Sequence, residues 1–234
     1  MNKNLLCVKV AIILAAFMFI MPDAKAQKDW ARFSVYEKNN EEVIQSQKNG
    51  AKKPKAVFMG DSITEGWYRN DKEFFDDNSF IGRGISGQTS CEMLVRFRRD
   101  VIELNPKYVL ILAGTNDMAQ NMGAISIENV YRNIVSMCEL AKVHKIKPVI
   151  CSVLPASYFP WRKELGDRSQ DIIALNKMLK DYANKHHYKY IDFHSAMKDE
   201  QNGLIKEYGR NGDAVHPNLE GYKVMEKLVL DNIK

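Results

Sequence analysis

The chain has 234 residues, 45% of them hydrophobic and 27% charged, with 13 Gly, 7 Pro and a formal net charge of +5 at pH 7. That balance fits a globular protein and excludes disordered, collagen-like and multi-span membrane chains. The excess charge is mild, and no basic block or stripe runs along the sequence, so nucleic acid is not an expected partner.

Residues 1–26 have the pattern of a secretory signal. Lys3 and Lys9 charge the start, the 12 residues from Val10 to Met21 are uniformly apolar, and Ala24-Lys25-Ala26 is a small-residue cleavage site. Twelve residues are too few for a bilayer, which takes about 20. Removing Lys3, Lys9, Lys25 and Asp23 with the signal lowers the charge from +5 to +3. The expected mature protein is exported, periplasmic or secreted, and keeps no stable membrane anchor. Its thiols are Cys91, Cys138 and Cys151, an odd set without a C-x-x-C pair. They are expected as small buried hydrophobes rather than a disulfide framework or zinc site.

Residues 27–54 are expected to form an extra helix over Trp30–Gln47, closed by Asn49-Gly50, and a connector. Residues 55–234 are expected to form one domain. Within it five short runs suit buried strands: Ala56 to Met59, Phe80 to Ile85, Tyr108 to Ala113, Pro148 to Leu154 and Tyr188 to Phe193. Segments of helical period separate them. Met93, Leu94, Phe97 and Val101 mark one, Val130, Ile134, Met137 and Cys138 a second, and Ile172, Leu175 and Leu179 a third. A last helix follows with Tyr222, Met225 and Val229. Alternating strand and helix predicts an α/β fold, a mostly parallel sheet with helices on both faces.

In such sheets sites lie beyond the carboxyl ends of the strands. Polar residues after the runs are therefore the candidates. Ser62 follows the first run and opens a helix, so its hydroxyl and backbone N–H both face the rim. A serine hydroxyl needs a positioned base. His216 is the candidate base, and Asp213, three residues earlier, is spaced to hold the imidazole. Gly87 can bring a bare N–H close, and Asn116 can offer a side-chain amide; both suit an oxyanion hole. Asp61 and Asp117 read as loop-fixing carboxylates.

Together the blocks Gly60-Asp61-Ser62-Ile63, Gly84-Ile85-Ser86-Gly87, Gly114-Thr115-Asn116-Asp117 and Asp213-Ala214-Val215-His216-Pro217 resemble the SGNH, or GDSL-type, hydrolase superfamily. The blocks stand in that family's order, with Ile63 in place of its leucine. The resemblance implies a three-layer α/β/α, flavodoxin-like fold with about five strands. It also implies Ser62, His216 and Asp213 as catalytic residues, and an oxyanion hole from Ser62, Gly87 and Asn116. No cofactor and no metal are expected.

The segment Pro155 to Gly166 follows the fourth run and carries Tyr158, Trp161 and Arg162. Tyr158, Trp161 and, from the first helix, Trp67 are the candidate substrate contacts. Export and this aromatic loop favour a small acyl ester, acetyl above all, on carbohydrate. A lysophospholipase or thioesterase is the alternative on the same fold. A metal-dependent phosphoesterase and a non-catalytic glycan-binding module are weaker readings. Oligomeric state is not fixed by the sequence.

Overall fold

The structure, a computed structural model, describes residues 29–233. The expected signal segment lies outside them. Residues 29–32 belong to a first unit, and the fold described below occupies the chain from Phe33 onward.

Five strands, β1 (Ala56–Gly60), β2 (Phe80–Gly84), β3 (Tyr108–Leu112), β4 (Lys147–Cys151) and β5 (Lys189–Ile191), form one sheet in the order β2-β1-β3-β4-β5. Every pairing is parallel. Side chains of a strand point alternately to its two faces, and the sequence uses both. Val57, Met59, Val109 and Ile111 enter one core, whereas Ala56, Phe58, Leu110 and Leu112 enter the other. The strands therefore read as continuous apolar runs rather than as alternating ones.

The helices are α1 (Glu37–Lys48), α2 (Ser62–Asn70), α3 (Lys72–Asp77), α4 (Ser90–Phe97), α5 (Thr115–Met118), α6 (Ile127–Val143), α7 (Ser169–His186), α8 (Phe193–Met197) and α9 (Leu219–Asn232). Met93 and Phe97 of α4, Ile134 of α6 and Leu175 of α7 pack in one core. Trp67 of α2, Phe75 of α3, Met197 of α8 and Met225 of α9 pack in the other. The result is the expected three-layer α/β/α arrangement.

Several expected boundaries shift for local reasons. The N-terminal helix begins at Glu37 rather than Trp30, because Arg32 has φ of 58° and Phe33–Val35 forms only a 3-10 turn. The fourth run leaves the sheet after Cys151, where the Asn176 side chain takes both the N–H of Val153 (2.8 Å) and its carbonyl (3.0 Å). The fifth run stops at Ile191 because the Asp192 carboxylate accepts the N–H of Ser195 (3.0 Å) and starts α8. Cys138 and Cys151 are buried as expected, but Cys91, on the outer face of α4, is exposed.

Beneath the rim lies a buried charged network. Arg96 donates to Asp100 (2.7 Å), to the Gln88 side chain (2.5 Å) and to the carbonyls of Gly60 and Arg83 (both 2.9 Å). A π-helical stretch, Arg98–Ile102, continues α4 and carries Asp100. Asn40 of α1 donates to Asp100 (2.7 Å) and accepts from Arg83 (2.9 Å), while the Tyr36 hydroxyl donates to the Gly84 carbonyl. Buried charge is tolerated only when paired and fully hydrogen-bonded, and these partners meet that demand.

Candidate active site

Three neighbouring strands end in the residues of interest. Ser62 opens α2 just past β1, Gly87 lies beyond β2, and Asn116 sits in α5 beyond β3. Because β1 lies between β2 and β3, the strand order reverses at this place, where open sheets form their crevices.

The turn into α2 is fixed by Asp61, whose Oδ1 accepts the N–H of Ile63 at 2.9 Å. Gly84 allows the close passage of β2. A Cβ there would fall 2.2 Å from the Glu65 nitrogen and 2.6 Å from the Asp61 carbonyl oxygen. Gly87 has φ of 82°, a left-handed conformation that favours glycine. Glu65, one turn into α2, accepts the N–H of Ser86 (2.7 Å) and its hydroxyl, and so ties this loop to the helix that Ser62 opens.

Asp213 and His216 lie on a seven-residue loop closed by the bridge between Gly209 and Pro217 and by the Arg210 N–H donating to the His216 carbonyl (2.9 Å). Asp213 Oδ1 accepts the N–H groups of Val215 (2.8 Å) and His216 (3.1 Å), and its Oδ2 lies 2.7 Å from His216 Nδ1. His216 Nε2 lies 2.9 Å from Ser62 Oγ. Burial raises the Asp213 carboxyl, but the N–H groups of His216 and Val215 and the imidazole outweigh it and hold the carboxyl below its ordinary value. A charged Asp213 would orient Nδ1–H and leave Nε2 free to accept the serine proton.

The N–H groups of Ser62 and Gly87 donate to no described group. Asn116 is engaged differently. Its Nδ2 donates to the Gln88 carbonyl (3.0 Å) and to Asp61 Oδ2 (3.3 Å), and its Oδ1 accepts from Asn121 (2.7 Å). To serve as an oxyanion donor, one N–H must turn from these acceptors toward the cavity. Burial pushes the Asp61 carboxyl up to about 7, helped by the nearby Asp117. Asp117 accepts the N–H (2.9 Å) and hydroxyl (2.6 Å) of Ser90 and fixes the loop ahead of α4.

A cavity of about 290 Å³ opens over these groups and is lined by Ser62, Gly87, Asn116 and His216, with Trp161 on one wall. The Trp161 ring lies 6.0 Å from the His216 ring, and its N–H donates to Asn121 (2.9 Å). Arg69 and Arg210 also line the cavity, Arg69 paired with Glu65 at 2.6 Å. Of the expected substrate contacts, only Trp161 reaches it. Tyr158 is 44% exposed outside the lining. Trp67 is corrected to a core residue. It is 1% exposed, stacked between Phe74 (5.6 Å) and Tyr222 (5.7 Å), with its N–H on Glu226 (3.2 Å). The apolar side of α2 points into the sheet, so an aromatic five residues after Ser62 faces away from the rim.

Asn121, Glu65, Arg69 and Arg210 are site residues that the sequence pattern did not mark. They are ordinary polar residues in loops or on a helix surface. Only the i, i+3 and i, i+7 spacings of Glu65 and Arg69 from Ser62 on α2 carried a signal. Among the described residues no three His, Cys, Asp or Glu side chains are grouped as for a metal ion.

Residues 58–224 match the model of the GDSL-like lipase/acylhydrolase family. A GDSL-like lipase from Bacteroides thetaiotaomicron VPI-5482 is similar in structure, with a TM-score of 0.81 and 44% identity, covering 86% of this chain and 96% of that one. An acetylxylan esterase of Geobacillus stearothermophilus is 22% identical over 156 residues, 65% of this chain and 71% of that protein. An uncharacterized lipoprotein of Bacillus subtilis (strain 168) is 35% identical over 78 residues, so the chain spans about a third (32%) of that relative. The chain belongs to the GDSL-like lipase/acylhydrolase family of the SGNH superfamily, and with it to the carboxylic ester hydrolases.

Proposed function

We propose that the protein is an exported serine esterase that removes small acyl groups, acetyl above all, from carbohydrate. The observation that carries the catalytic part is the unbroken chain Ser62 Oγ, His216 Nε2, His216 Nδ1, Asp213 Oδ2, with links of 2.9 and 2.7 Å. His216 takes the Ser62 proton as Oγ attacks the ester carbonyl. The carbonyl oxygen becomes an oxyanion facing the N–H groups of Ser62 and Gly87 and the Asn116 amide. His216 then protonates the leaving alcohol, and water repeats the cycle on the acyl-enzyme to release the acid and restore Ser62.

Support for a short acyl group comes from the cavity, which is small and lined by Ser62, Ser86, Asn116, Asn121 and Arg210 as well as by Trp161 and Tyr222. Support for a sugar comes from Trp161, 42% exposed on the cavity wall beside His216, and from the acetylxylan esterase relative. Export is proposed from the signal pattern alone. No helix among the described residues is long and apolar enough to cross a membrane.

The test compares acetylated oligosaccharides, octanoyl esters, acyl thioesters and lysophospholipids on wild type and Ser62→Ala. Turnover should be highest on acetyl esters and absent in the variant. Wild-type rates in Ser62→Ala would overturn the catalytic assignment, and a preference for octanoyl or lysophospholipid substrates would overturn the substrate.

A further inference from the structure

The cavity over Ser62 carries charge of one sign. Its lining includes Arg69 and Arg210, and no Asp or Glu. The face of α2 that meets it runs Ser62, Gly66, Arg69, an i, i+4, i+7 series. A Cβ at Gly66 would fall 2.7 Å from the Tyr222 hydroxyl, so the wall between Ser62 and Arg69 stays bare. Helix side chains lean toward the N-terminus, and Arg69 reaches back one turn to Glu65 at 2.6 Å. Its guanidinium therefore lies nearer to Ser62 than its backbone does, which is about 10 Å of helix rise away.

The two arginines differ in what holds them. Glu65 and the negative C-terminal end of α2 account for Arg69. Neither kind of partner accounts for Arg210. It opens the turn Arg210–Gly212, and among the described residues its guanidinium forms no ion pair. Asp213, three residues on, has both oxygens engaged, by the N–H groups of Val215 and His216 and by His216 Nδ1. Burial raises the Tyr222 phenol while Arg210 and then Arg69 pull it down, so both charges lie within electrostatic reach of that ring. The Arg210 N–H holds the His216 carbonyl at 2.9 Å, which places Arg210 on the imidazole's side of the cavity. In the proposed reaction His216 hands its proton to the leaving alcohol, while the acyl oxygen faces Gly87 and Asn116. A group that pairs with Arg210 therefore belongs to the alcohol.

We infer that the alcohol part of the substrate carries a carboxylate, as in an acetylated uronic acid, and that Arg210 is the specificity-determining residue that pairs with it. This rests on the esterase reading proposed above. A planar guanidinium matches a carboxylate with two parallel hydrogen bonds. Glu65 already offsets Arg69, so one uncompensated positive charge faces the cavity. That charge suits a singly charged group better than a phosphate, which carries more. A cleft lined by one sign of charge also raises the local concentration of a substrate of the other sign. Arg69 adds to that field without giving up Glu65.

The experiment measures acetate release from 3-O-acetyl methyl galactosides that differ only at C6, which bears a carboxylate, a hydroxyl, a sulfate or an ammonium group. The wild type should favour the carboxylate over the hydroxyl by roughly tenfold in kcat/KM, mostly through KM, and added salt should shrink the gap. Arg210→Gln should bring the two sugars level, and Arg210→Glu should turn the preference toward the ammonium sugar. Lys227→Gln, which removes a positive charge outside the cavity lining, should keep the wild-type preference. A second measurement needs no variant: galacturonate should inhibit the wild type more strongly than galactose does. No release from any of these sugars or from p-nitrophenyl acetate overturns the esterase reading and this inference with it. The inference alone falls if turnover is seen but the carboxylate and hydroxyl sugars are equal, if the sulfate is preferred to the carboxylate, if galacturonate and galactose inhibit alike, or if the carboxylate preference survives in Arg210→Gln.

Discussion

Asp61→Asn separates the structural and electrostatic parts of the turn into α2. Asp61 Oδ1 caps α2 through the Ile63 N–H, and Oδ2 faces Asn116. Burial pushes the carboxyl from 3.8 up to about 7, and Asp117 adds to the rise. An acid with a raised value in the fold holds its proton more tightly there than in the unfolded chain. The contribution of this carboxyl to folding stability is therefore highest below about pH 4, falls as the pH climbs, and levels off above about 7. At about 1.36 kcal/mol per pH unit, that rise corresponds to about 4 kcal/mol. Asn caps a helix as well as Asp does and cannot ionise. In urea denaturation the variant should gain on wild type by up to about 4 kcal/mol between pH 4 and pH 8. Ester turnover should move the other way, because the new amide N–H₂ sets a donor against Asn116 Nδ2. Parallel stability curves for the two proteins across pH 4 to 8 would refute the reasoning.

Asn116→Ala should lower kcat on an acetyl ester by about 10²–10³ while far-ultraviolet circular dichroism stays unchanged. Asp213→Asn, which keeps the shape but not the charge that orients His216, should cost about 10⁴ in kcat, measured on the same ester. Trp67→Ala should destabilise the fold by about 3–5 kcal/mol in urea, as expected for a large core aromatic, without raising KM. Trp161→Ala should raise KM for acetylated oligosaccharides more than for p-nitrophenyl acetate, and an equal effect on both would remove Trp161 from sugar binding.

The strands and long helices were legible because each is one local signal repeated. Phe58 and Leu110 face one core while Val57 and Val109 face the other, so both strands read as unbroken apolar runs. The four polar blocks were legible because parallel topology sends strand ends to one rim. Residues whose direction depends on packing were not. Trp67 sits five positions after Ser62 on α2, and only the crowd of Phe58, Phe74 and Tyr222 reveals that it points inward.

The same logic applies to the network under Ser62. Gly60 and Arg83 lie at the ends of adjacent strands, and the residues that follow them carry Ser62 on one side and Gly87 on the other. One buried guanidinium, Arg96, holds both carbonyls at 2.9 Å. It also holds the side chain of Gln88, whose carbonyl accepts the Asn116 amide. Sliding β1 against β2 would break bonds to Arg96 on both strands, so this side chain braces from beneath the spacing between Ser62 and Gly87 that the strand pairing and Glu65 also hold. Arg96 is itself held by Asp100, which the π-helical stretch carries and Asn40 of α1 clamps. The N-terminal helix, which the sequence presents as an appendage to the domain, is thereby part of the machinery that keeps the site in register. Its removal would leave Asp100 and Arg83 short of hydrogen bonds inside the protein, where an incompletely paired charge is most destabilising.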